Sequence, residues 1–202
     1  MSETEKAIYR LVLHPQDANC IPESTEIVRL ALQAAEFIGE IHLETGVEDK
    51  SGNAAQDFLV GERFLQLLTF MGCSPNINLE PQYHGDHDFC HIRMSPLLAQ
   101  PQFRSHERDV FARCPECGRR DNDWRARLED WQVNSSQINY QCPHCHQSMS
   151  LYDLRWRQQA GFARFFIDVF SIFPQEAIPT DNLLGVLNKT CAQPWNYFFT
   201  NR

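Results

Sequence analysis

Four of the eight cysteines stand in two Cys-Pro-x-Cys motifs. The first motif is Cys114-Pro-Glu-Cys117 and the second is Cys142-Pro-His-Cys145. Two intervening residues make a tight turn that directs both sulfurs of a pair to one point, and proline presets φ for that turn. Two such turns supply four thiolates, which is the tetrahedral donor set that zinc accepts. The spacing therefore predicts a metal site with the ligands Cys114, Cys117, Cys142 and Cys145.

The 24 residues from Gly118 to Gln141 separate the two pairs. This is more than the usual 15–20, and a longer hairpin could absorb the excess. With these motifs, residues 112–150 resemble a four-cysteine zinc ribbon. The resemblance implies one structural Zn²⁺ and two knuckles at one end of a small antiparallel sheet. The segment departs from the commonest pattern at His146, because a glycine often follows the second pair as Gly118 follows the first.

Three chemistries compete for these cysteines. A single CxxC could be a redox dithiol, but two pairs with proline inside both favour a metal. Rubredoxins bind a single iron with similar paired turns. Such electron carriers are usually tiny free-standing domains, so zinc is favoured here. Because sulfur fills all four positions, no site remains for water or substrate, and Lewis-acid catalysis at this metal is not expected.

A second dense group of possible ligands runs from Tyr83 to His91. His84 and His87 could share an ion in a loop, with His91 joining from the following strand. The alternative is a solvated polar turn ahead of a short strand. An open histidine and carboxylate site would make the protein an enzyme, and the sequence leaves this possibility open.

Two single residues could also act chemically. Cys73 follows an apolar run at a Gly-Cys-Ser-Pro stop, but a nucleophilic cysteine needs a neighbouring base or a helix N-terminus, and the sequence indicates neither. Glu176 stands between two prolines without a recognisable partner. We expect no catalytic role for either residue.

Aromatic residues and arginines alternate around the cysteine pairs. This pattern suits stacking on single-stranded nucleic acid, and it equally suits a thin packed sheet or a protein interface. The aromatic members are Trp124, Trp131, Tyr140 and Tyr152, and the basic members are Arg119, Arg120, Arg125 and Arg127.

Charge favours a protein partner over nucleic acid. The chain carries a net charge of −8, with −9 over residues 1–103 and +2 over residues 104–164. Four thiolates with one Zn²⁺ add −2 to the middle segment, which cancels its positive charge. An acidic chain without a basic face is repelled by phosphate backbones. We therefore expect a protein partner, with nucleic acid as the alternative.

Local patterns predict the elements on either side of the cysteine segment. Strands are expected at 9–13, 89–94 and 195–200, and helices after Ser24 or Thr25 and after Thr180. In the first helix the apolar residues Ile27, Leu30, Ala31, Ala34, Ala35 and Ile38 follow the 3.6-residue period. The run 58–71 favours a strand over a helix only slightly. The run 162–173 matches a helical period but has the aromatic content of strands, so it remains undecided.

These observations predict an α+β protein, a small mixed α/β sandwich with an inserted antiparallel zinc ribbon. The expected division is 1–111, 112–150 for the ribbon, and 151–202 packing on the first segment. No long apolar span or secretory leader is recognisable, so a cytoplasmic location is expected. The favoured function is a zinc-binding, non-enzymatic accessory or adaptor protein that contacts another protein. The alternatives are a nucleic-acid-binding ribbon protein and an enzyme using the cluster His84, His87 and His91.

Overall fold

The computed structural model describes residues 9–42, 55–72, 77–83, 86, 88–107, 110–133 and 140–201. The described elements outside the cysteine segment are β1 (Arg10–Pro15), α1 (Thr25–Ala34), β2 (Ile38–Ile41), β3 (Gln56–Val60), α2 (Phe64–Leu67), β4 (Leu68–Phe70), β5 (Ile92–Met94) and β6 (Gln102–Ser105). The cysteine segment contains β7 (Ala112–Arg113), β8 (Arg120–Asp121), α3 (Trp124–Val133), β9 (Tyr140–Gln141) and β10 (Ser148–Met149). After a 3₁₀ turn at Leu151–Asp153 follow β11 (Ala160–Ala163), β12 (Ile167–Phe170), β13 (Ala177–Pro179), α4 (Asp181–Cys191) and β14 (Trp195–Thr200). The predicted α+β class is confirmed.

A six-stranded antiparallel sheet is the centre of the fold, in the order β14-β1-β12-β5-β3-β2. Strand β1, near the start of the described chain, lies between β12 and β14 from its end, with Leu11 opposite both Val169 and Phe199. Residues before and after the cysteine segment therefore build one sheet together.

Helices α1 and α4 cover one face of this sheet and close the main core. Sheet residues Leu11, Phe58 and Ile92 are wholly buried there, and the helices contribute Val28 and Leu187. Both helices begin at the predicted caps: the hydroxyl of Ser24 accepts from Ile27 N–H, and the hydroxyl of Thr180 accepts from Leu183 N–H. Such caps satisfy amides that the first helical turn leaves free.

Helix α1 ends at Ala34, so the prediction that its period extends to Ile38 is wrong, and Ile38 begins β2. Val28 and Leu32 are the buried residues of α1, whereas Ile27 and Leu30 are 37% and 52% exposed. The helix is apolar around much of its circumference, so periodicity alone could not identify the face that α4 and the sheet cover.

The opposite face of the sheet carries paired charges. Arg93 stands directly across from Asp57 on one neighbouring strand and Asp168 on the other. Its Nε and Nη2 donate to the two carboxylate oxygens of Asp57 at 2.6 and 2.7 Å, while Arg104 donates to Asp168 at 3.0 Å. The two aspartates are 3% and 2% exposed, and these bonds compensate their removal from water.

The two undecided runs have different outcomes. The run 58–71 divides into the end of β3, the single turn α2 and strand β4, so the preference for a strand holds only in part. The run 162–173 is not helical, because it contains the end of β11 and the whole of β12. Every residue of these two strands is buried, since both of their faces are covered. A strand buried on both sides loses the polar alternation by which a strand is recognised.

Strand β14 forms one edge of the sheet, and alternate amides on its outer side already have acceptors. Trp195 N–H donates to the side-chain oxygen of Asn188 at 2.9 Å, and Tyr197 N–H to its neighbour Asn196 at 3.0 Å. Phe199 N–H donates to the carbonyl of Gln158 at 3.1 Å. Three outward-facing amides of this edge are therefore already hydrogen-bonded within the chain.

Candidate metal centre

The two Cys-Pro-x-Cys motifs form equivalent turns. In the first turn, Cys114 N–H donates to Arg119 O and Gly118 N–H to Cys114 O, both at 3.0 Å. In the second, Cys142 N–H donates to Gln147 O at 3.0 Å and His146 N–H to Cys142 O at 2.9 Å. His146 has φ +61°, close to the +69° of Gly118, so histidine adopts the left-handed backbone that glycine supplies in the first turn.

The turns bring the four predicted ligands together. Their sulfur atoms all lie within 4.8 Å of one another. Two pairs, Cys114 with Cys145 and Cys117 with Cys142, have Sγ–Sγ distances of 3.8 Å. A tetrahedral site with metal–sulfur bonds of about 2.3 Å has edges of about 3.8 Å. The four cysteines are therefore close enough to bind one metal ion, as the spacing predicts.

The main chain around Cys142 favours the charged form of this sulfur. Burial acts to raise the pKa of Cys142, but the N–H groups of Cys145 and His144 donate to its sulfur, and the pKa of Cys142 is lowered to about 6. Cys114 and Cys142 are buried, whereas Cys117 and Cys145 are exposed. His144 places Nε2 3.2 Å from the carbonyl oxygen of Arg120, a contact to main chain and not to the sulfur cluster.

The sheet expected for a ribbon is replaced by two separate ladders. Strand β7 pairs with β8 beside the first turn, and β9 pairs with β10 beside the second. The excess length between the cysteine pairs contains helix α3, so the longer hairpin is also wrong. The spacing of Trp124, Leu128 and Trp131 at i, i+4 and i+7 is the helical signal that this interpretation overlooked.

The aromatic residues of this segment face inward. Trp124, Trp131 and Tyr140 are 5%, 6% and 3% exposed. The Trp131 ring packs edge-on against Phe162 of β11 at 5.3 Å, and Trp124 packs edge-on against Trp156 at 5.2 Å. These contacts join the cysteine segment to the two-stranded sheet of β6 and β11. They leave the three rings unavailable for stacking on bases.

The arginines divide between paired and exposed positions. Arg127 lies 3.1 Å from a carboxylate oxygen of buried Asp121 and over the ring of Tyr140. Arg120 and Arg125 are exposed and lie over aromatic rings, Phe111 and Trp124 respectively, and Arg119 is also exposed.

The second predicted cluster lies largely outside the described residues, because these do not include His84 and His87. His91 is 4% exposed, stacks on Phe170 at 4.1 Å and places Nδ1 3.1 Å from Phe89 O. Burial lowers the pKa of His91. Its surroundings are those of a packed core histidine, and the cluster as a whole remains a prediction.

Of the two single candidates, Glu176 and Cys73, the structure describes only Glu176. The carboxylate of Glu176 accepts a hydrogen bond from Phe173 N–H at 3.0 Å and closes a turn. Cys73 lies outside the described residues.

A cavity that the sequence did not predict lies between the cysteine segment and the six-stranded sheet. Its volume is about 1080 Å³, and its lining includes His14, Gln147, Arg157, Gln158 and Tyr197. Arg157 and Gln158 are consecutive residues with left-handed φ of +48° and +60°, and Gln158 donates to the hydroxyl of Tyr197 at 2.8 Å. Left-handed backbone costs non-glycine residues about 1–2 kcal/mol each, and such strain tends to occur at binding surfaces.

No family model, curated protein or solved structure matches the chain. Among the described residues, no helix has both the length and the apolar character that crossing a membrane requires.

Proposed function

We propose that the protein is a zinc-stabilised accessory or adaptor protein that presents a surface to a protein partner. The observation that carries this proposal is the convergence of four cysteine sulfurs at tetrahedral spacing. Cys114, Cys117, Cys142 and Cys145 would hold one Zn²⁺, with iron as the less favoured ion. Zinc in such a site stabilises the fold by about 10–16 kcal/mol, which is as large as the stability of a whole domain.

A structural role for the metal follows from the donor set. Four protein sulfurs complete the coordination of zinc, so neither water nor substrate has an open position. The module 112–150 would then act as a rigid unit carried by the flanking segments 1–111 and 151–202. We propose a cytoplasmic location, because reduced thiols suit a reducing compartment.

The cavity beside the cysteine segment supports a role in binding another protein. Its lining includes aromatic rings and arginines, which are enriched in protein interfaces. The exposed Arg157 and Gln158 are held in a strained turn at this surface. Zinc at the adjacent knuckles would keep one wall of the cavity in place.

Elemental analysis tests the metal. Protein purified without added metal should contain one zinc per chain, and the double variant Cys114→Ser/Cys142→Ser should contain none. Wild-type protein with a full complement of iron would overturn the choice of zinc. Protein that neither retains zinc nor binds it when it is supplied would overturn the metal site.

Affinity purification of the tagged full chain from its native cells tests the partner. A stoichiometric protein should co-purify, and Arg157→Glu should release it. Arg119→Glu is the matched control, since Arg119 is also an exposed arginine but does not line the cavity. A partner retained equally by both variants would remove the cavity from the proposal, and the absence of any stoichiometric protein would remove the adaptor role.

Nucleic acid is the weaker alternative, because the aromatic residues that would stack on bases are buried. Fluorescence anisotropy with labelled single-stranded oligonucleotides at low salt tests it. Tight, salt-dependent binding that is lost on joint substitution of Arg119, Arg120 and Arg125 would favour this alternative over the adaptor.

A further inference from the structure

Two cysteines outside the metal centre lie together although 171 positions separate them in the chain. Cys20 is in the loop between β1 and α1, and Cys191 is the last residue of α4. The Cys20 thiol donates toward the main-chain oxygen of Cys191, with a Sγ–O distance of 4.0 Å. Both residues are free and partly exposed.

The surroundings of the pair allow a small reagent to approach. Cys20 and Cys191 are each partly exposed to solvent. By contrast, Cys90 is wholly buried in the main core. The four cysteines of the metal centre would be held by zinc.

Local hydrogen bonds distinguish the two sulfurs. The indole N–H of Trp195 donates to Cys191 Sγ at 3.2 Å, which stabilises negative charge on that sulfur. Burial and the neighbouring Cys191 raise the pKa of Cys20 to about 12. Cys20, with its raised pKa, is therefore the poorer nucleophile of the two while both thiols are free.

We propose that Cys20 and Cys191 are an oxidation site that forms an intramolecular disulfide with a low-molecular-weight disulfide such as oxidised glutathione. The Cys191 thiolate attacks one sulfur of the reagent, forms a mixed disulfide and expels one glutathione thiolate. Cys20 then loses its proton, attacks the sulfur of Cys191 and expels the second glutathione. The two cysteines lose two protons and two electrons, and the reagent becomes two thiols.

The first step removes one of the two causes that oppose the second. Burial, the larger cause, still raises the pKa of Cys20, but Cys191 in the mixed disulfide bears no negative charge and no longer adds to it. The fold already holds the Cys20 sulfur within 4.0 Å of the main chain of Cys191, so the second step is intramolecular.

Treatment of the zinc-loaded full chain with oxidised glutathione tests this site. After alkylation of the remaining thiols and proteolysis, mass spectrometry should find the Cys20 and Cys191 peptides linked, with zinc retained. Because the folded chain holds the sulfurs together, the link should form at least roughly tenfold faster than in denaturant.

Serine variants provide the controls. Cys20→Ser should stop at a stable mixed disulfide on Cys191, and Cys191→Ser should remain largely unmodified at Cys20. Cys73→Ser should form the link as the wild type does. Linkage no faster in the native protein than in denaturant, native linkage of either cysteine to a different one, or no linkage at all would overturn the proposal.

Discussion

The ring of His14 fills the space that a side chain at position 161 would need. A Cβ on Gly161 would lie 2.6 Å from His14 Nε2 and 3.1 Å from a ring carbon of Phe198. His14 is 6% exposed, and its Nδ1 lies 2.8 Å from Pro15 O. The absence of a side chain at Gly161 thus allows strand β11 to pack against β1 and β14.

We expect Gly161→Ala to destabilise the protein by about 1–3 kcal/mol, because the added methyl group must displace a packed ring. Denaturant unfolding followed by tryptophan fluorescence measures this change. Gly185→Ala is the matched control: it lies inside α4 with open space around its Cβ, and should stabilise by about 0.5–1 kcal/mol. Equal effects of the two substitutions would contradict the packing described.

The burial of His14 should make stability depend on pH. Burial lowers its pKa from 6.5 to about 4 in the folded protein. Between pH 4 and 6.5 the unfolded chain binds a proton at His14 that the folded chain does not. The contribution of His14 to the free energy of unfolding is therefore complete above pH 6.5 and is lost as the pH falls toward 4. The loss should amount to about 3 kcal/mol. Unfolding curves measured across this range test it.

His14→Gln is the comparison for that experiment, because glutamine does not titrate. The difference in unfolding free energy between wild type and variant should shrink or reverse as the pH falls from 6.5 to 4. A difference that stays constant over this range would remove His14 as the source of the pH dependence.

The two knuckle turns should respond oppositely to substitution. Gly118→Ala should destabilise by about 1 kcal/mol through its left-handed φ alone, since nothing lies within 4 Å of the added Cβ. His146→Gly should stabilise by about 0.5 kcal/mol, because relief of left-handed strain exceeds the added entropy of the unfolded chain. Unfolding of the zinc-loaded variants gives both values, and a stabilising Gly118→Ala would contradict the turn geometry.

Removal of one sulfur ligand should unfold the metal segment. Cys142→Ser should lose zinc and the near-ultraviolet circular dichroism of Trp124 and Trp131, which pack beside the sulfurs. Strong chelation of the wild type should have the same effect, and added zinc should reverse it. Cys191→Ser should keep both the metal and the signal. Unchanged melting of Cys142→Ser would argue against a structural metal.

Helices and strands whose ends are marked by nearby residues were predictable from the sequence. The cap Thr180 and the bounds of β14 agree with the structure, because a capping hydroxyl and flanking proline act within a few residues. The convergence of the four sulfurs was equally predictable, since each turn is short and a tetrahedral metal site needs two such turns. The buried face of α1, the strands in 162–173 and the cavity beside His14 depend on distant packing partners, which local periodicity does not contain.

The bonded outer edge of β14 has a consequence for solubility. Its sequence, WNYFFT, is aromatic and lacks charge, a composition prone to recruiting identical strands into fibrillar assemblies. Asn188, Asn196 and Gln158 occupy the amides that an incoming strand would need. Replacing Asn188 and Asn196 would free the Trp195 and Tyr197 amides to bond with a strand of another molecule. We therefore expect these two side chains to protect the protein against self-association.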